Sequence, residues 1–379
     1  MVYFFTEVQM DYLVEALSLI TYKTVIMWII GGVLIFLAIK YKMEPALLLP
    51  MGFGAILVNI PLTNVISSEG EVGIISWLYE IGIGASEALP ILLFIGIGAM
   101  IDFEPLIVNP KLMLLGVFAQ LGIFLTIILA ALLGFDINDA ASIGIIGAAD
   151  GPTSILVAMK LGSKYVGPIM VVAYSYMALV PIIQPAVIKC VTTKKERCIH
   201  MEYKGKRVSK TVKILFPIVI TVVAGLIAPK SLALVGFLMF GNLLSECGVL
   251  GTLADTAKNT LSNLITLLLG ITVAFQMQAE NFLSLETLMI LGLGLFAFVF
   301  DTVGGVMCAK VMNLFTKEKI NPMIGAAGIS AFPVSARVVH KMGLKEDNTN
   351  FLLMHAVGAN VSGQIASAIV GGLIIGLVL

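Results

Sequence analysis

Charged side chains are scarce in this chain. Lys, Arg, Asp and Glu make up 12% of its 379 residues, about half of the roughly 25% that ordinary soluble domains carry. A water-facing globule of this size is therefore excluded. The charges that remain sum to zero, which removes the basic field that nucleic-acid binding requires. Four cysteines (Cys190, Cys198, Cys247 and Cys308) fall at no framework spacing. Cys190 and Cys198 with His200 match no metal-ligand pattern. The chain also lacks the basic start and small-residue cleavage site of a signal peptide. Residues 1–20 instead mix Glu7, Asp11 and Glu15 with apolar residues, the pattern of an amphipathic interfacial segment.

Apolar residues are plentiful, at 59%, and arrive in blocks near the twenty residues a bilayer demands of a helix. Clear blocks are Thr24–Ile39, Leu47–Ile60, Leu112–Leu133, Pro168–Ile188, Val212–Ala228, Leu283–Val299 and Phe351–Leu379. With shorter ones they predict an all-α polytopic membrane protein of about nine to eleven segments. Nine of the 23 basic residues lie between Lys189 and Lys213. Loops this basic stay on the cytoplasmic side of the cell membrane, so the 189–213 loop is expected there. It divides the chain into residues 21–190 and 212–379, around a 191–211 loop.

The two halves resemble each other. Leu112-Met113-Leu114-Leu115-Gly116 matches Leu288-Met289-Ile290-Leu291-Gly292, a spacing of 176 residues, and Ile146-Gly147-Ala148-Ala149 recurs as Ile324-Gly325-Ala326-Ala327, a spacing of 178. Lys160-Leu161-Gly162 matches Lys341-Met342-Gly343, a spacing of 181. Three matches in one order point to one unit used twice, over about 85–190 and 262–379. An odd number of intervening spans would make the repeats inverted in the membrane. The Ile-Gly-Ala-Ala segments are dense in Gly and Pro, which break helices and free backbone groups. In a bilayer such backbone must be buried in protein or line a watery cavity, as in a re-entrant loop.

Only the first copy continues into a carboxylate, Asp150, in Gly147-Ala148-Ala149-Asp150-Gly151-Pro152-Thr153. An acid at membrane depth costs about 2.5–3.5 kcal/mol on insertion scales. Asp150 must therefore be protonated, paired across the fold or bound to a cation such as Na+. As an alternative it caps the helix that follows, with Pro152 in the first turn. Asn321, Ser330 and Asn360 supply neutral oxygens that either coordinate an ion or bond across helices. Tyr176 either packs or relays a proton. Arg337, followed by His340 and Lys341, either marks a membrane boundary or receives a carboxylate. Asp301, Glu87 and Glu246 are further acids in apolar surroundings.

Four motifs, Gly147 to Thr153, Ala173 to Pro181, Gly241 to Gly248 and Asn321 to Arg337, resemble the β subunits of the sodium-pumping decarboxylases acting on oxaloacetate, methylmalonyl-CoA or glutaconyl-CoA. The resemblance runs from about Glu44 to the C-terminus. It implies a membrane subunit that decarboxylates carboxybiotin, exports Na+ and takes up a proton from outside. The implied partners are a carboxyltransferase α subunit, a biotin carrier, a small membrane subunit (γ or δ) and further copies of the same chain. The family's essential aspartate matches Asp150 and its tyrosine matches Tyr176. Its asparagine, glycine, serine and arginine match Asn321, Gly325, Ser330 and Arg337, and a further sodium-site asparagine matches Asn360. Arg337 would then assist capture of carboxybiotin. No Met-Lys-Met biotinylation motif and no nucleotide loop are present, so chemistry must be supplied through partners. A Na+-coupled carrier of small carboxylates, without chemistry, is the alternative from the membrane pattern alone.

Overall fold

The computed structural model describes residues 13–67, 70–85, 87–202 and 208–379. Every regular element among them is helical. Seven described helices are long and apolar enough to cross a membrane, or eight if the bent pair Ile74–Gly84 and Ala88–Met100 is one span. This is fewer than the nine to eleven segments expected: the block Leu47–Ile60 yields only the short helix Pro45–Val58, and Ile137–Ala148 is a second short apolar helix. At 1.5 Å per residue, a fourteen-residue helix reaches only about 21 Å, less than the roughly 30 Å hydrocarbon layer. Of the expected amphipathic segment at 1–20, residues 1–12 lie outside the described residues. Residues 13–18 are helical, with Leu13, Val14 and Leu17 exposed.

The chain forms two compact units. The first comprises residues up to Leu89 together with Thr266–Leu288. Its helices α1 (Tyr22–Tyr41) and α2 (Pro45–Val58) pack side by side. Thr21 caps α1, its hydroxyl accepting from the Thr24 N–H at 3.3 Å. The buried Asn59 amide closes the unit. It donates to Ala55 O at 2.7 Å and Met277 O at 2.8 Å, and accepts from the Ala279 N–H at 2.7 Å.

The second unit holds Pro90–Ile265 and Met289–Leu379. Its principal helices are α3 (Ala88–Met100), α4 (Leu112–Phe118), α5 (Leu121–Leu132), α6 (Ile137–Gly144), α7 (Gly151–Lys160), α8 (Val166–Val191), α9 (Lys210–Ile227), α10 (Leu232–Glu246), α11 (Leu285–Phe315), α12 (Met323–Ala326), α13 (Val334–Glu346) and α14 (Leu353–Val378). Helix α14 is the most enclosed of the seven candidate spans, with 72% of its apolar window buried. The Gly241-Asn242-Leu243-Leu244-Ser245 motif is a helix crossing. Gly241 lies against the Ile95 carbonyl, Asn242 donates to Ile101 O at 3.0 Å, and Ser245 donates to Ala99 O at 3.1 Å.

The start of the basic loop is tied to the second half of the chain. Arg197 Nε meets Glu346 Oε1 at 2.7 Å, and Lys310 Nζ meets Glu196 Oε1 at 3.0 Å. Burial alone would raise the Glu196 carboxyl, but the Thr193 backbone N–H, Lys310 and the Thr193 hydroxyl outweigh it and hold it below the usual range.

Helix α11 and the short α12 approach backbone to backbone. Gly305 and Gly325 face each other so closely that a Cβ on either would overlap the other's carbonyl. Around Gly292, on the same long helix, a Cβ meets nothing within 4 Å. Gly305→Ala is expected to cost about 1–3 kcal/mol through overpacking. Gly292→Ala should be neutral or mildly stabilising. Thermal inactivation midpoints of the two purified variants, taken at one scan rate in detergent, check the contrast.

Candidate functional site in the broken segments of unit 2

The first broken segment begins where α6 tightens into a 3-10 turn at Ile145–Ala148. Ala149 then takes a left-handed conformation, φ 52° and ψ 40°, which costs an L-residue roughly 1–2 kcal/mol. Such strain is tolerated where surrounding structure over-determines it. It turns the chain sharply, so that Asp150 sits extended at the N-cap of α7 with Pro152 in the first turn. The Asp150 carbonyl accepts from Ser154 Oγ at 2.9 Å. Its carboxylate Oδ2 accepts from Thr153 Oγ1 at 2.6 Å and from Ser367 Oγ, on α14, at 3.3 Å. Asp150 thus occupies the N-cap position without a side-chain capping bond, and its carboxylate pairs instead with hydroxyls on its own helix and across on α14; the residue is 3% exposed.

The second broken segment runs from Asn321 through α12 to the start of α13, with Phe332–Pro333 in the cis form. It meets the first through one main-chain bond, Ser330 N to Ala148 O at 3.0 Å. Helix α14 satisfies its loose backbone. Asn360 Nδ2 donates to Ile329 O at 2.6 Å, Gln364 Nε2 donates to Ser330 O, and Ser330 Oγ returns a bond to Gly363 O at 3.1 Å. From α8, Gln184 Nε2 donates to Ala326 O and to Ser335 Oγ, both at 2.7 Å.

These bonds leave oxygens over. Asn360 Oδ1 and Gln364 Oε1 are buried without a hydrogen-bond partner. Asn360, Gln364 and Ser367 are spaced i, i+4 and i+7 and lie on one stripe of α14, the stripe that touches Ser330 and Asp150. A carboxylate beside unspent amide oxygens is a donor set for a hard cation.

Asp150, Ser330 and Asn360 are therefore joined by direct contacts or by α14. The other sequence candidates make their hydrogen bonds and close contacts with other partners. Asn321 uses its side chain to donate to the carbonyls of Arg197 at 2.8 Å and Ile199 at 2.9 Å, and to accept from the Met323 N–H at 3.1 Å. Gly325 provides the close approach to Gly305. Arg337 is exposed, with Nε 3.5 Å from Pro333 O. Tyr176 donates to Leu291 O, on α11, at 2.5 Å. Thr153, Tyr174, Gln184, Gln364 and Ser367 were not singled out from the sequence. The ring of Tyr174 lies against Gly151, and its buried hydroxyl has no partner. A polar stripe within the apolar C-terminal helix is the signal that points to Gln364 and Ser367.

Comparison with known proteins places this arrangement. The family model described as the Na+-transporting oxaloacetate decarboxylase beta subunit matches residues 23–378. A methylmalonyl-CoA decarboxylase subunit beta from Propionigenium modestum is 48% identical, covering 93% of this chain and 94% of the relative. A glutaconyl-CoA decarboxylase subunit beta from Acidaminococcus fermentans is 46% identical, covering 94% of each. An oxaloacetate decarboxylase beta chain from Klebsiella pneumoniae is 42% identical, covering 93% of this chain and 95% of the relative. With its all-helical build and long apolar spans, the chain belongs to the membrane-embedded beta subunits of the Na+-transporting decarboxylases, which act within a complex.

Proposed function

We propose that this subunit decarboxylates carboxybiotin presented by a partner and couples that step to Na+ export across the cell membrane, with a proton taken up from outside. Na+ is the cargo. Asp150 would hold it together with the Asn360 and Gln364 amide oxygens, with Ser330 placing the second segment against the first. The observation that carries this reading is the pair of unbonded amide oxygens on the α14 stripe that also contacts Asp150 and Ser330. A second Na+ would bind near Asn321 and Ser330, with Asn321 and Gly325 holding the second segment in place. Arg337, exposed at the start of α13, would receive the carboxylate of carboxybiotin, and Tyr176 would relay a proton. The chemistry lent by carboxybiotin is loss of CO2 from its ureido nitrogen.

The two Ile-Gly-Ala-Ala segments would be re-entrant parts of inverted repeats, with the 189–213 loop facing the cytoplasm. The main-chain bond between Ser330 and Ala148 supports their meeting at one level. Movement of one bundle against a scaffold would expose the ion alternately to either side. A carboxyltransferase α subunit, a biotin carrier and a small membrane subunit would complete the complex, with further copies of the chain.

Asp150→Asn should abolish Na+-dependent decarboxylation in proteoliposomes, and a near-normal rate would remove Asp150 from the mechanism. Gln364→Leu removes one neutral oxygen, worth about 1–3 kcal/mol. It should raise the Na+ concentration for half-maximal rate by roughly 5- to 150-fold, read from initial rates across a Na+ series. Solubilised membranes passed over immobilised avidin should retain this chain through its biotinylated partner. Its quantitative appearance in the flow-through would argue for a carrier without chemistry.

A further inference from the structure

Asp301 is a buried acid that the proposed ion site does not use. It lies within α11 and is 0% exposed. One oxygen, Oδ1, accepts from the Ile123 N–H at 3.2 Å, and Gly122 beside it, at the start of α5, packs against the same oxygen. The other oxygen, Oδ2, is buried and without a partner. It faces the Cα of Gly147, in the first broken segment, where a Cβ would overlap it and lie 2.9 Å from the Ala297 Cβ.

The charged and titratable groups around it are few. Helix α5 carries none between Leu121 and Leu132. The first segment contributes Asp150, three residues beyond Gly147. On α11 itself Lys310 is engaged with Glu196. From α8, the ring of Tyr176 lies against Gly294 of α11, beside Ile146. An ionised carboxylate here would have one bare oxygen and no counter-ion in a membrane interior, which is strongly disfavoured. A protonated acid leaves only one O–H without an acceptor.

Resting on the Na+ reading above, we infer that Asp301 is a second cation-binding carboxyl of the pump, one that holds a proton on Oδ2 against the Ile146–Asp150 segment. Na+ arriving at Asp150 brings positive charge to the same segment and drives that proton off. Departure of Na+ restores it. The two cations thus alternate on neighbouring acids, by mutual repulsion through the turn at Ala149. The chemistry balances: the C–N bond of carboxybiotin breaks with its electron pair left on the ureido nitrogen, which takes one proton, and CO2 leaves. Asp301 is where that proton waits on its way inward.

The test uses the purified complex without decarboxylation substrate. Addition of Na+ should remove a protonated-carboxyl C=O band from the infrared difference spectrum of the wild type and release a proton to a pH indicator. Asp301→Asn should still saturate with Na+ but lose that band and release one proton fewer. Asp301→Glu should retain the band at a shifted frequency, which decides the matter even where the Asn variant fails to assemble. The same band and proton count in Asp301→Asn, or an unshifted band in Asp301→Glu, would overturn the assignment while leaving the Na+ reading intact. Absence of any Na+ response in the wild type would overturn both.

Discussion

Backbone that leaves the helical path inside hydrocarbon must find its hydrogen bonds in protein, because no water competes for them. The second unit is organised by that demand. The freed groups in the segment 326–330 are claimed from three sides: Ala326 O by Gln184 of α8, Ile329 O and Ser330 O by Asn360 and Gln364 of α14, and the Ser330 N–H by Ala148 O of the first segment. The amides that do this are two-ended. Each spends its N–H on the backbone, and Asn360 and Gln364 are left with a carbonyl oxygen facing inward. The device that repairs the break therefore also creates the acceptors that a metal ion would use.

The role of small residues follows from the same constraint. Segments that carry no full helix cannot bury much side-chain area, so they gain contact by bringing main chains together. Gly305 against Gly325 is such a contact, and Gly241 against the Ile95 carbonyl brings two helices together in the same way. They make the inner helices difficult to alter by even one carbon and leave the outward faces, such as that of Gly292, permissive.

Much of this was readable from residue order, for particular reasons. Asp150 stands out because an acid between Ala149 and Gly151 has no local partner. The helical class follows from apolar blocks alone, although block length overstates the number of full spans where Gly and Pro shorten the helix. What remained hidden depends on facing. Tyr174 and Tyr176 are two residues apart, roughly 200° around a helix, so only one can lie against Gly151, and the sequence does not say which. Asn321 is visibly polar, yet its acceptors at Arg197 and Ile199 lie more than a hundred positions earlier. Gln364 and Ser367 were obscured by the apolar run that contains them, and only their register with Asn360 reveals the stripe.

The Asn321 tether has a consequence for how such a subunit diversifies. Its amide grips the loop by the main-chain oxygens of Arg197 and Ile199, which every amino acid possesses. Replacing Ile199 therefore leaves the grip in place, whereas Arg197 is held besides by its ion pair with Glu346 and its bond to the Thr192 carbonyl. Variation is thus tolerated at one moored position and resisted at the other.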